Sequence, residues 1–339
     1  MRFVSIVGVL VALVLFPQFT FAWNETGHMT VALIAYRRLD DAQKRKIAEI
    51  LRAHPHYKLY LSANVPPGVN EDEWVFLRAA TWPDFVRPAS TYDRTYKDPT
   101  ITHFHHGEWH YVTIPVVPER DKAMFSATAP SSSTAKPTTL PMKPVEPNIL
   151  TAFDQCAKQL TSADTKPEER AVALCWVIHL IGDVHQPLHT ASLFSSMFPA
   201  GDKGGNDFVV RADGGYVIKL HSFWDDQLGT SDAYSAIDFL ARELCSDPTC
   251  DPTRNPAYET NKLFSSWADE SHDYASSIAY LNGKLRGAPW QKYSNKEITD
   301  QEVPAIPAGY AANARDLSKQ RVTLAGYRLA NELTKFIKP

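Results

Sequence analysis

Histidine and aspartate in two short segments are the residues whose spacing can do chemistry. In Cys175-Trp-Val-Ile-His179-Leu-Ile-Gly-Asp183-Val-His185-Gln-Pro187-Leu-His189, His179 and Asp183 are four apart, so a helix would place them on one face. Pro187 is poorly tolerated inside a helix and predicts its end. The chain can then turn and bring His189 back toward the same cavity. Leu220-His221-Ser-Phe-Trp-Asp225 repeats the spacing. Imidazole and carboxylate suit zinc, and two such pairs suggest more than one metal. On an exposed helix such a pair is more often a surface ion pair. Here, however, Ala171 to Ile181 is an otherwise apolar helix, where an unpaired charge is costly. A metal accounts for its presence.

Taken together, His179-x-x-Gly182-Asp183-x-x-Gln186-Pro187-Leu188-His189, then Gly204-Gly205-Asn206, then His221-x-x-Trp224-Asp225 resembles the zinc-dependent type I single-strand nucleases of fungi and plants (the S-one/P-one nuclease family). That family shares its three-zinc architecture with bacterial phospholipase C. Trp23 followed by Gly27-His28, Ala80-Thr81-Trp82-Pro83-Asp84 and Trp109-His110-Tyr111 match its earlier motifs. Asn148-Ile149-Leu150, Trp267-Ala268-Asp269-Glu270-Ser271 and Ala325 to Ala330 match later, less specific ones. The likeness runs from Trp23 to about Ala330, with the metal motifs in family order.

The resemblance implies nine metal-ligating residues and three Zn2+ ions. Asp84, His110 and His179 would hold one zinc. His189, His221 and Asp225 would hold a second. His28 and the amino nitrogen and carbonyl oxygen of Trp23 would hold a third, with Asp183 bridging the first and third. The Trp23 amine becomes free only by cleavage behind Ala22. It also implies that Asp84 acts on the attacking water and that Arg87 neutralises the transition state. Asn206 would contact substrate or support the site. Tyr111 would stack on a base, although it can equally be read as a core aromatic. The implied activity is hydrolysis of single-stranded DNA and RNA to 5′-phosphorylated products, with 3′-nucleotidase activity. Two alternatives stand: a phospholipase C acting on phosphodiester lipids, and a non-enzymatic exported protein that binds zinc or nucleic acid. Phospholipases of the superfamily usually carry Glu at the position of Asp225 and lack Gly-Gly-Asn, which favours the nuclease.

The remaining histidines have blander readings. His103, His105 and His106 read as solvated loop residues, His185 as structural or supporting, and His54, His56 and His272 as ordinary. Asn24-Glu25-Thr26 is a formal glycosylation sequon, expected to be unused because it adjoins the third metal site.

The chain has 339 residues and a formal net charge of −3. A protein that grips nucleic acid through surface Lys and Arg is usually basic, so phosphate affinity must be local. Bound metal ions can supply it. Arg2, the apolar run Val4 to Phe16 and Thr20-Phe21-Ala22 read as a signal peptide over residues 1–22, too short in its apolar run for a membrane span. A secreted or periplasmic monomer without stable membrane anchoring is expected.

The elements that must position these residues read as one mainly α domain over residues 23–339, with few short strands and a three-zinc cleft. Helical spacing runs through Val31–Leu51, Leu150–Leu160, Glu169–Ile181, Asn261–Leu285 and Ala311–Ile337. Phe208–Arg211 and Tyr216–Leu220 resemble a hairpin. The Ser/Thr/Pro-rich stretch 127–147 reads as a loop insertion, and it and loop 88–108 as cleft walls. The four cysteines suggest disulfides in an exported chain, with Cys245–Cys250 and Cys156–Cys175 favoured.

Overall fold

Asn24 starts the first helix: its side-chain oxygen accepts from the Gly27 amide, which satisfies one of the orphan donors of a helix N-terminus. The computed structural model describes residues 23–88, 99–125, 140 and 144–338. Helix α1 (Glu25–Arg38) is buried from Thr26 to Tyr36. It is followed by α2 (Asp41–Arg52), so the expected single helix Val31–Leu51 is two. The break has a local cause. Asp40 accepts from the Gln43 amide while the Gln43 side chain accepts from the Asp40 amide, a capping box that starts a new helix. Three helices follow: α3 (Glu71–Ala79), α4 (Trp82–Phe85) and α5 (Pro99–Thr102).

Asn148 caps α6 (Ile149–Thr161), which packs against α7 (Pro167–Asp183). The expected helix pair is therefore present. Strand β1 (Ile114–Val116) lies parallel to β2 (Ala191–Leu193), with Ile114 opposite Ala191. β3 (Phe208–Arg211) pairs antiparallel with β4 (Val217–Lys219), Val210 opposite Ile218, as the hairpin pattern predicts. α8 (Leu220–Asp225) follows directly. Then come α9 (Tyr234–Ser246), α10 (Pro256–Thr260) and α11 (Phe264–Tyr274). The periodic stretch Asn261–Leu285 is not one α-helix: after Tyr274 it widens into a π-turn over Ala275–Ala279. β5 (Ala288–Pro289) adds to the free edge of β3, and α12 (Trp290–Ser294) precedes the long α13 (Tyr310–Phe336).

Two large apolar clusters hold these elements, and a small third one of Val209, Ala288 and Val303 lies under β3 and β5. The larger includes Leu33, Phe76, Trp176, Ile178 and Leu329. The smaller includes Leu188, Phe208, Trp224 and Tyr280. α7 belongs to the first and α8 to the second, so the two His/Asp pairs of the sequence are carried by different cores. Among the described residues, no helix is long and apolar enough to cross a membrane. Residues 1–22, the expected signal peptide, lie outside the described residues. So do most of the insertion 127–147 and residues 89–98 of the second loop.

The disulfide expectation is corrected: all four cysteines are free. Cys156 and Cys175 are buried in the larger core and behave as small apolar side chains. Burial pushes the Cys156 thiol up to about 12 and the Cys175 thiol well above its usual range. Cys245 is exposed while Cys250 is buried. The turn between them is set by Asp247, which accepts from the Thr249 amide and hydroxyl at 2.8 and 2.7 Å.

The contact of α1 with α13 depends on Gly326. A Cβ there would lie 2.6 Å from Ile34 Cγ2 and 3.1 Å from the Val31 carbonyl oxygen, so the helices would have to separate. Gly326→Ala gains helix propensity of about 1 kcal/mol but overpacks a closed interface, which typically costs about 1–3 kcal/mol. A net fall in unfolding midpoint is expected in thermal or denaturant melts. An unchanged or raised midpoint would show that the interface yields freely.

Candidate metal centre and cleft

Three groups of His and Asp side chains converge in the interior. They are His28–His179–Asp183, Asp84–His110–His179 and His189–His221–Asp225; within each group the candidate ligand atoms lie within 4.8 Å of one another. All eight residues are buried. They are the same eight side chains that the sequence singles out as ligands, and His179 is shared by two groups. Trp23, the ninth, is fully buried next to α1.

Each element has a local reason to present its group. His179 and Asp183 are one turn apart near the end of α7. Gly182 lets α1 approach: a Cβ at this position would be 2.7 Å from His28 Nδ1. The His28 ring stacks on His179 with centroids 4.0 Å apart. Pro187 opens a short 3-10 turn that ends α7's run and carries His189. Gly204 adopts φ +63°, and a Cβ there would strike the Leu188 carbonyl oxygen. Only glycine lets this loop lie against the ligand-bearing turn.

Backbone carbonyls fix the ring tautomers. A carbonyl can only accept, so the facing nitrogen must carry the proton. His179 Nδ1 donates to Ala80 O at 2.7 Å, His189 Nδ1 to His110 O at 2.6 Å, and His221 Nδ1 to Gly204 O at 2.6 Å. This leaves each Nε2 to face inward. The two inward nitrogens of His189 and His221 are 3.1 Å apart. Burial pushes His221 down to about 3 and lowers His189 as well, so both rings are neutral. Two lone pairs at that distance repel unless a shared proton or a metal cation lies between them.

The carboxylates fit the same requirement. Asp183 Oδ1 lies 3.1 Å from His28 Nε2, and Oδ2 lies 3.1 Å from both His110 Nδ1 and His179 Nε2. One carboxylate therefore addresses two groups. Asp183 Oδ1 and both His28 ring nitrogens are buried without a hydrogen-bond partner. Burial opposes ionisation of Asp183, but His179, His189 and His110 hold its carboxyl well below the usual range. Burial pushes Asp225 well above it, only partly opposed by Gln186, whose amide donates to Asp225 Oδ1 at 2.7 Å. Orphaned polar atoms, neutral imidazoles and a carboxylate that lacks a counter-charge form a donor set that fits zinc.

His110, His189 and His221 border a cleft of about 710 Å³. Arg87 lines it, largely buried, with its guanidinium 2.7 Å from Asp84 Oδ1. It is therefore not a free surface arginine. Tyr111 lines it with 45% of its surface exposed, which rules out a core aromatic. Asn206 lines it too, its Nδ2 donating to Lys203 O at 2.8 Å. Of loop 88–108, Pro88, His105 and Gly107 form part of the wall. His105 is thus half-buried at the cleft, and His106 stacks on Trp109 at 3.9 Å; only His103 is exposed as expected.

Sequence reasoning reads His185 as structural or supporting, which its contacts bear out, but it misses the partners that Gln186, Arg321, Arg328, Glu270 and His56 find in the fold. Gln186 stands in the quoted motif, yet its bond to Asp225 becomes visible only in the fold. His185 is fully buried, accepting at Nε2 from Arg328 at 2.9 Å, while Arg321 donates to its carbonyl at 3.2 Å. Glu270 accepts from both arginines at 2.7–2.8 Å. This network anchors the turn between Asp183 and His189. His56 Nδ1 accepts from Trp82 Nε1 at 3.0 Å and so steadies the turn that carries Asp84. The sequon residue Asn24 is buried, donating to Asp226 Oδ1 and Gly229 O at 2.9 and 2.6 Å, which leaves its amide no room for a glycan.

Comparison with known proteins points the same way. The S1/P1 nuclease family matches residues 23–338. Nuclease S1 of Aspergillus oryzae is 26% identical over 163 residues, covering 47% of this chain and 52% of that protein. Endonuclease 4 of Arabidopsis thaliana is 32% identical over 122 residues, covering 32% of this chain and 38% of that protein. The aligned parts therefore span about half of the fungal relative and less of the plant one.

Gly182→Ala tests the packing of the centre. The added methyl should push His28 off Asp183 and lower the metal bound per folded chain, measured by elemental analysis, by about one equivalent. An unchanged content would mean that His28 is not a ligand.

Proposed function

The chain belongs to the S1/P1 nuclease family, and on that premise we propose that it is an exported, zinc-dependent nuclease. It hydrolyses single-stranded DNA and RNA to 5′-phosphorylated products and also acts on 3′-nucleotides. The observation that carries this reading is the convergence of neutral imidazole nitrogens and buried carboxylates beside a cleft with an exposed tyrosine. Residues 1–22 are the export signal, and the mature chain begins at Trp23.

In this reading Asp84, His110 and His179 hold one zinc, and His189, His221 and Asp225 a second. His28, with the amine and carbonyl of Trp23, holds the third. Asp183 uses one oxygen toward His28 and the other toward His110 and His179. When bound, zinc supplies Lewis acidity toward water and phosphoryl oxygen. Three divalent ions would outweigh the carboxylates of Asp84, Asp183 and Asp225 and would make the cleft locally positive in an acidic protein.

The chain's own groups do the rest. Arg87, with the nearby histidines, outweighs burial and holds the Asp84 carboxyl below its usual range. Asp84 is therefore ionised and able to orient the attacking water and accept its proton. The Arg87 guanidinium meets charge that develops on the phosphate. Tyr111 offers a face for base stacking, which is sequence-tolerant and requires an unpaired base. Asn206 offers its amide from the opposite loop.

Purified protein lacking residues 1–22 should release 5′-mononucleotides from single-stranded DNA, and a strong zinc chelator should stop the release. Chelator-resistant release, or none from a zinc-loaded preparation, would overturn the reading. Arg87→Ala should keep its metal and lose roughly a hundredfold in kcat, as when a transition-state charge partner is removed. Unchanged turnover would return Arg87 to a structural role beside Asp84.

A further inference from the structure

One side of the cleft carries a cation and an aromatic that the metal chemistry does not use. Lys219 ends β4 and is only 9% exposed, yet it lines the cleft. Among the described residues its ammonium has no ion pair or hydrogen bond. Asp207, which lines the same cleft, is engaged by Lys203 at 2.9 Å. The Lys219 ammonium reaches the open cleft with the Trp290 ring as its close neighbour, so it can meet an anionic group of a ligand that enters there. The Lys219 nitrogen sits 4.7 Å from the centroid of the Trp290 ring. Trp290 is partly exposed and lines the same cleft. Its amide donates to Asp207 O at 2.7 Å.

The connection to the reaction centre is short. The loop 204–207 holds His221 Nδ1 at its first residue, through Gly204 O, and the Trp290 amide at its last. Three residue steps span at most about 11 Å. Lys219 itself stands two residues before His221. An anion on Lys219 and a planar group on Trp290 therefore lie within one or two nucleotides of the metal groups.

We propose that Lys219 and Trp290 form a second nucleotide subsite, in which the ammonium holds a non-scissile phosphate and the indole stacks on the adjoining unpaired base. The subsite rests on the nuclease reading for its place in the reaction. It makes the enzyme a better catalyst for oligonucleotides than for 3′-mononucleotides, which cannot reach it.

The test uses the zinc-loaded mature protein and three variants: Trp290→Ala, Trp290→Phe and Lys219→Met. The first readout is the ratio of kcat/KM for a single-stranded tetranucleotide over that for a 3′-mononucleotide. Trp290→Ala should lower this ratio about tenfold, in line with the loss of one base stack, and Trp290→Phe should restore most of it. The second readout is calorimetric binding of a hydrolysis-resistant phosphorothioate tetranucleotide at several salt concentrations. Lys219→Met should flatten the dependence of log affinity on log salt by about 0.7, the value for one phosphate on a single strand. A ratio that does not move, or an unchanged salt slope in Lys219→Met, overturns the subsite. Binding that depends on both residues in a protein that cleaves nothing would uphold the subsite and sink the nuclease reading. Cleavage with unaltered ratio and binding would do the reverse.

Discussion

Two neutral imidazoles whose lone pairs face each other across 3.1 Å repel, and a metal cation or a shared proton between them relieves the repulsion. His189 and His221 are in that position because backbone carbonyls hold their other nitrogens. Both rings are largely buried where they border the cleft. Around Asp183, burial lowers His28 and His110 as well, while burial of His179 is outweighed by the carboxylates of Asp183 and Asp84, which raise it. The interior is thus assembled for charges that the side chains alone do not supply, and the fold's other features can be ordered by how they serve that assembly.

Serving it requires joining two cores. α7 brings His179 and Asp183 from the larger apolar cluster, and α8 brings His221 and Asp225 from the smaller one. The turn 184–189 runs between them and is held from behind by Arg321, Arg328 and Glu270. A buried ion cluster of this kind is weak evidence for stability. Its geometric value is that His189 and Gln186 are placed to within hydrogen-bonding tolerance of His110 and Asp225. β1 and β2 add a second tie, with Val112 donating to His189 O at 2.8 Å. Parallel pairing over three residues is enough to set two ligand-bearing segments side by side.

Much of this was legible in the sequence. The eight His and Asp side chains were recoverable because helical spacing, Pro187 and the family-like motifs all point to them, and the structure brings every one of them together. The α6–α7 pair, α13 and the β3–β4 hairpin follow from periodicity in the same way. Four things did not follow. The capping box at Asp40 divides one apparent helix, because a two-residue cap outweighs continuous periodicity. β1, β2 and β5 are too short to leave a pattern, and their pairing depends on partners distant in sequence. The cysteines misled because an even number in an exported chain suggests bridges, whereas Cys156 and Cys175 fill space in a core. Lys219 and Trp290 carried no signal at all: a lone lysine and a lone tryptophan become a site only when a strand end and a loop are folded onto one cleft.

The central claim is that the interior histidines and aspartates are a multi-zinc centre. The most direct measurement is anomalous X-ray scattering at the zinc edge from crystals of the mature protein grown without chelator. The account predicts three peaks: one among Asp84, His110 and His179, one among His189, His221 and Asp225, and one beside His28 and Trp23. An interior with the same side-chain positions and no anomalous peak would contradict it.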